Sequence, residues 1–205
     1  MTFREVEERL RVGLAGPLPG TEAQLRMAPQ PRPGWVPGVS PEESRVAAAL
    51  LLVFPVDGVP HVVLTVRSSR LPSHAGQVSL PGGALEPGET LESAALREAQ
   101  EEVGLDPGGV RVLGRLTPLH IPVSGFMLNV VVAVTDHRPV LRPADSEVEQ
   151  ILEVPIGTLD LSRVRHKRDR RAREGIEVDI PYLDVHGTML WGATAMVLSE
   201  FLSLL

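Results

Sequence analysis

Residues 46–54 are nine apolar side chains in a row, Val-Ala-Ala-Ala-Leu-Leu-Leu-Val-Phe. A half-exposed strand or an amphipathic helix would interrupt such a run with polar residues on its wet face. The run therefore predicts a strand buried on both faces, which needs a covering layer on each side. Asp57-Gly58 follows as a hairpin signal, and residues 62–66 read as the returning strand. Further along, strand-like and helix-like stretches alternate, so the chain reads as α/β.

The second constraint is residues 83–105, a Gly/Pro-rich loop that turns into a helix at about Thr90. Thr90 suits an N-cap, and Gly104 suits the C-terminal stop. Leu91, Ala95, Leu96, Ala99 and Val103 form one apolar stripe at helical spacing. Glu98, Glu101 and Glu102 stand together on its flank, where like charges three and four residues apart repel. Glu101 and Glu102 also lie in the last turn, where the helix dipole disfavours an anion by about 0.3–1 kcal/mol. Arg97 can pair with Glu101 but cannot neutralise all three. A bound divalent cation would resolve the conflict, and Mg²⁺ takes oxygen ligands while keeping waters that phosphate oxygens can replace. A solvated acidic helix face is the plainer alternative.

The spacing as a whole resembles the Nudix box: Gly83, five residues, Glu89, seven residues, then Arg97-Glu98-Ala99-Gln100-Glu101-Glu102-Val103-Gly104-Leu105. Ala99 is the one soft departure, standing where the family usually has a larger aliphatic side chain. The resemblance implies a Nudix α/β/α sandwich, with a mixed sheet between helices. It also implies hydrolysis of a diphosphate joining a nucleoside to another group. Glu98 and Glu102 would hold the main Mg²⁺ or Mn²⁺, with the Gly83 carbonyl facing it. Glu101 would complete a second metal site or act as the base. Arg97 would orient Glu101, and Glu89 would support Arg97 from behind. Family members often recruit a further Glu from a loop outside the box, and Glu147 is the candidate here.

The stretch before the box is similar to the signature of coenzyme A diphosphatases within the same family. Leu64, Thr65, Arg67, Ser68, Gly76, Pro81, Gly82 and Gly83 match it. Pro72 stands where a second Arg is expected, with Arg70 two residues earlier, and Leu80 replaces Phe. Coenzyme A is thus the leading substrate, with ADP-ribose, NADH or another dinucleotide as the alternative. Arg67, Arg70, His74 and Gln77 are the candidate substrate-binding residues, since planar guanidinium forks grip phosphates well. A Nudix-type isomerase is disfavoured because the chain has no Cys, and a non-catalytic sensor because all the box carboxylates are present.

The remaining features set boundaries. Residues 3–14 are helix-like, and residues 15–41 hold seven prolines, which predicts an ordered but irregular arm, or a linker. A split into 1–41 and a Nudix domain over 42–205 follows. Trp35 would anchor that arm, or stack on substrate. Residues 110–119 and 126–135 read as strands flanking a loop at 120–125, and residues 151–154 as another. Residues 163–173 carry seven Arg or Lys against one Asp, in a chain of net charge −6. That segment reads as a solvated loop or as an electrostatic collar for a polyphosphorylated substrate. Nucleic acid is not expected, because no aromatics are interleaved for stacking. Short strands are expected over 178–183 and 189–191. Residues 192–205 read as a final apolar helix, packed as a sandwich layer or at a homodimer contact. No signal-peptide pattern and no apolar run of membrane-spanning length appear, so a cytoplasmic protein is the default expectation.

Overall fold

The run at 46–54 lies inside β1 (Arg45–Val56), at the centre of the computed structural model. The structure describes residues 1–32, 44–69, 76–144, 147–170 and 176–205. The period of two along β1 divides its side chains between two cores. Ala48, Leu50, Leu52 and Phe54 face one layer, while Ala49, Leu51 and Val53 face the other, all essentially buried. No polar residue is tolerated because neither face meets water.

The elements before β1 are α1 (Phe3–Ala15) and α2 (Gly20–Leu25). After it come β2 (Val59–Arg67), β3 (Val78–Ser79), β4 (Gly82–Ala84), α3 (Leu91–Val103), β5 (Arg111–Arg115), β6 (Leu119–Ile121) and β7 (Phe126–Val134). The chain continues with β8 (Val148–Pro155), β9 (Arg165–Arg170), β10 (Glu177–Val185), β11 (Thr188–Trp191) and α4 (Gly192–Leu202). Strands β1 to β8 form one mixed sheet, and β11-β10-β9 a second, antiparallel one. In the large sheet β7 lies parallel to β1, and the other pairs are antiparallel. Helix α3 covers one face through Ala94, Ala95, Ala99 and Val103, while α1 and α4 cover the other. This is the expected α/β/α sandwich. Among the described residues no helix is long and apolar enough to cross a membrane.

The hairpin turn is as expected, with Asp57 and Gly58 both at positive φ (50° and 78°), as a two-residue primed turn requires. Several expectations are corrected. Residues 110–119 are not one strand. The ladder to β7 shifts register between Val112 and Gly114, and it breaks again before Pro118, which has no N–H to donate. It resumes as β6, so His120 and Ile121 belong to a strand and not to the loop expected there. Residues 165–170 form an edge strand, not a loop, although an exposed one. Its polar side chains meet acids across and beside it: Arg165–Asp184 at 3.4 Å, His166–Asp179 at 2.9 Å and Arg168–Glu177 at 3.5 Å. Alternating charge reads as loop when no partner strand is known, but here β10 supplies the complementary acids. The final helix stops at Leu202 rather than Leu205.

The N-terminal segment carries a helix, α2, inside the stretch expected to be irregular. Phe3, Val6 and Leu10 of α1 lie in the same core as β1, and α2 packs on α4. The α2 contact is polar as well as apolar. Glu200 on α4 is fully buried, and its carboxylate accepts from Gly20 N (3.2 Å), Gln24 Nε2 (2.8 Å) and Thr117 N (3.2 Å). Ser199 donates to the Ala23 carbonyl at 2.7 Å. A lone Glu in an apolar helix is the sequence signal for this joint.

Candidate active site

Strands β1 and β2 start as a hairpin, Val53–Val56 facing Val59–Val62, and then diverge. Residues 78–84 fill the gap: β3 pairs with β2 at Thr65 and Val66, and β4 pairs with β1 at Ala47 to Ala49. The wedge must press close to β1, and Gly82 allows it. A Cβ there would stand 2.6 Å from Ala48 O and Ala49 Cα. Gly83 sits opposite Ala48 and so faces α3. A Cβ on Gly83 would collide with the Glu98 carboxylate. The helix itself is placed as its sequence requires: Thr90 caps the Ser93 N–H, and Gly104 closes it at φ 65°.

The three box carboxylates, expected side by side, are sorted by depth. Glu102 is buried, Glu98 largely so, and Glu101 is 60% exposed. Burial raises the pKa of Glu102 to about 7. The charge of Arg67 and a hydrogen bond from Gly82 N–H pull it down, while Glu98 and Glu147 push it up. Burial also raises Glu98, against the pull of Arg97. Glu147 from the loop before β8 thus adds its charge to the same spot. Its backbone carbonyl accepts from Ser68 N at 2.8 Å, which fastens that loop to the end of β2. The ladder between β2 and β8 shifts register between Val66 and Arg67, the kind of irregularity that re-aims a side chain. Arg67 Nε is buried with no hydrogen-bond partner among the described residues.

Arg97 ties the helix to the loop before it. Its Nε and Nη2 take both oxygens of Glu89 (2.8 and 3.1 Å), and Nη2 also donates to Ala84 O at 3.2 Å. Nη1 reaches Glu98 at 2.9 Å and Glu101 at 3.0 Å. The Glu89 hydrogen bond, first among several, holds the Arg97 pKa well above its usual value and lowers that of Glu89. Lys cannot reproduce this fork. Arg97→Lys is expected to lower turnover about 10- to 100-fold, as removal of groups supporting a ligand shell typically does. Circular dichroism and thermal midpoint should stay near those of the parent, because the pairs are at the rim. A midpoint loss that tracks the activity loss would make Arg97 a structural clamp only.

Oxygen donors, two of them on desolvated carboxylates, fit a hard divalent cation such as Mg²⁺ or Mn²⁺. The missing Cβ of Gly83 leaves its backbone open to the same volume. As the side chains stand, no three acidic or His groups among the described residues converge tightly enough to hold an ion, because Glu98 is turned to Arg97. Gln77 lies at the base of the loop after β2, its carbonyl accepting from Arg67 N at 3.0 Å. Arg70 and His74, and with them Pro72 and Trp35, lie outside the described residues.

A mixed sheet between helices, with carboxylates buried where a helix meets a Gly-Gly wedge, is a framework for hydrolysing anionic substrates with a cation. Comparison with known proteins supplies the family. The NUDIX domain model matches residues 43–175. The chain is 35% identical over 159 residues to an "Uncharacterized Nudix hydrolase NudL" of Citrobacter koseri, covering 77% of this chain and 81% of that one. It is 34% identical over 166 residues to the protein of the same description from Pectobacterium atrosepticum, covering 80% and 85%. A solved Nudix hydrolase from M. smegmatis, RenU, overlays 56% of this chain and 73% of its own, with 26% identity and a TM-score of 0.46. The chain belongs to the Nudix hydrolase family. It is an enzyme of pyrophosphate-bond hydrolysis acting on nucleoside diphosphate derivatives, in a family that generally uses divalent cations such as Mg²⁺ or Mn²⁺.

Proposed function

We propose that this enzyme hydrolyses the diphosphate of coenzyme A and its derivatives, giving 3′,5′-ADP and 4′-phosphopantetheine. The observation that carries the reading is the placement of Arg67. The signature Leu64-Thr65-x-Arg67-Ser68 ends β2 at a register shift, and Arg67 there bears on Glu102, its buried Nε without a hydrogen-bond partner among the described residues. An anionic phosphate is the natural acceptor for that donor. The pairing of Pro72 with the position of a second Arg favours ADP-ribose or a dinucleotide as the alternative.

The roles follow from depth and charge. Glu98 and Glu102 would hold Mg²⁺ or Mn²⁺, with the Gly83 carbonyl beside them. A divalent cation there supplies neutralisation of the diphosphate and acidifies a nearby water. Water adds to one phosphorus, the bond from that phosphorus to the bridging oxygen breaks, and the leaving phosphate keeps the electron pair. The proton lost by the water needs a carboxylate. Glu147 is the candidate for it: its charge bears on Glu98 and Glu102, whereas Glu101, equally solvent-facing, is held by Arg97. Arg67 would grip the diphosphate, and Arg97 would position Glu98 and Glu101. Arg165 and Arg168 on β9 already have acid partners, which weakens the case for a collar there.

The test is a turnover screen with Mg²⁺ and then Mn²⁺, comparing coenzyme A, 3′-dephospho-coenzyme A, ADP-ribose and NADH, with products identified by mass. Coenzyme A is expected to lead, with release of 3′,5′-ADP. A lead for ADP-ribose or NADH would overturn the coenzyme A assignment and leave the diphosphatase chemistry in place.

A further inference from the structure

The face of the large sheet that carries Gly83 continues past α3. On that face the side chains recur at every second residue, and the strand registers line them up in rows. One row runs Gly83–Ala48–Asn129, because Ala48 faces Gly83 on β4 and Asn129 on β7. The next runs Val46–Met127–His120. The parity is secure, since Leu50, Leu52, Val131 and Ala133 further up the same strands all lie in the α3 core. Val46 is 39% exposed, Asn129 is half-buried, and His120 is buried at the edge.

Asn129 is the carboxamide side chain in these rows, and its orientation is fixed. Its side-chain nitrogen donates to Ala47 O at 3.3 Å and to Met127 O at 3.2 Å. Both partners are carbonyls, which can only accept, so the network identifies the nitrogen. The amide oxygen is then left as a pre-set acceptor, and no described residue donates to it. With neighbouring strands about 4.8 Å apart, Asn129 stands on the order of 10 Å from Gly83 along its row. That separation is in the range that divides a nucleoside's base from its diphosphate. Beside the amide, the exposed Val46 offers an apolar surface of the kind a planar ring can lie on.

We propose that Asn129 is a specificity-determining residue, whose amide oxygen accepts a hydrogen bond from the exocyclic amine of the substrate's nucleobase, with the ring lying over Val46. The proposal rests on the reading of the site as one for a nucleoside diphosphate derivative. An acceptor locked by two backbone carbonyls favours an amino base over the keto base that replaces the amine by a second acceptor. Adenine is the amino purine, and hypoxanthine differs from it at that position by an oxygen for the amine.

The experiment compares kcat/KM for coenzyme A, for ADP-ribose and for the hypoxanthine analogues of both, in the parent, Asn129→Leu and Asn129→Ser. The parent is expected to prefer adenine about 10- to 100-fold, the range of one well-made base contact. In both variants that preference should shrink to within about threefold, mainly through a rise in KM for the adenine substrate. Ser keeps the strand polar and small, so a fold lost in Leu alone does not obscure the result. Turnover by the parent with equal use of the two bases would overturn this inference and spare the diphosphatase. An unchanged preference in a folded variant would do the same. No turnover of any of the four would overturn the substrate reading, and the inference with it.

Discussion

Glu102→Gln is expected to lower turnover by at least about 10²- to 10³-fold, the scale seen when a group that stabilises transition-state charge is removed. It should also make the metal-free protein more stable above neutral pH. Both effects come from the same burial. Glu102 is desolvated beside Glu98 and Glu147, and its pKa stands near 7 against an ordinary carboxylate value of 4.5. The folded state therefore holds that proton more tightly than the unfolded state. Its contribution to stability is fully present below about pH 4.5 and is lost as pH rises through about 7. The corresponding cost of the charged form is on the order of 3 kcal/mol. Gln keeps the shape and an acceptor for Gly82 N–H but carries no charge. The difference in thermal midpoint between variant and parent should be near zero at pH 4.5 and several degrees by pH 8, at about 2–4 °C per kcal/mol for a chain of this size. Saturating Mg²⁺ should raise the parent's midpoint and leave the variant's nearly unmoved. Glu98→Gln should match the loss of turnover. Near-parental rates in both variants would refute the assignment of these carboxylates to the cation.

Gly82→Ala and Gly83→Ala should fail in opposite ways, although the residues are neighbours. A methyl on Gly82 meets the backbone of β1, the central strand, at 2.6 Å from Ala48 O and Ala49 Cα. Backbone in the middle of a sheet cannot step aside, so the fold itself must take the strain. Overpacking costs about 1–3 kcal/mol where side chains can adjust, and more is expected here. The variant should be poorly soluble, or show a midpoint lowered by 10 °C or so. A methyl on Gly83 meets only the end of the Glu98 side chain, which can swing away. Stability should then change little, while turnover falls about as far as in Glu98→Gln. Calorimetry and turnover on the two purified variants separate the cases. Equal stability in both would mean that the wedge is looser than the structure describes.

The local signals were strong where one element decides the outcome. The apolar run at 46–54, the primed turn at Asp57-Gly58, and the Thr90 and Gly104 caps each depend on a few adjacent residues, and all appear as expected. The helical spacing of Glu98, Glu101 and Glu102 was legible too. Their sorting by depth was not, because Glu102 is buried by β4 and by the loop that carries Glu147, distant parts of the chain. The same holds for β9, whose charges make a strand only because β10 presents acids to them. Asn129 gave no signal in sequence. An Asn in a strand is unremarkable until the register sets it in the row of Gly83.

The joint around Glu200 bears on how such a chain comes off a ribosome. Gly20 and Gln24 are made early, yet the carboxylate that holds them is 180 and 176 residues further on. One side of the sheet stays only partly covered until α4 emerges, because α1 and α4 cover it together. The catalytic face, drawn from residues between β2 and the start of β8, is translated well before that. During synthesis the nascent chain would carry the carboxylates of the candidate site ahead of a finished core, with β1 and β7 exposing Leu and Val to solvent or to a chaperone. Long sequence separations of this kind slow folding. Arrest of translation before residue 192 should therefore leave a chaperone-bound intermediate, not a working enzyme.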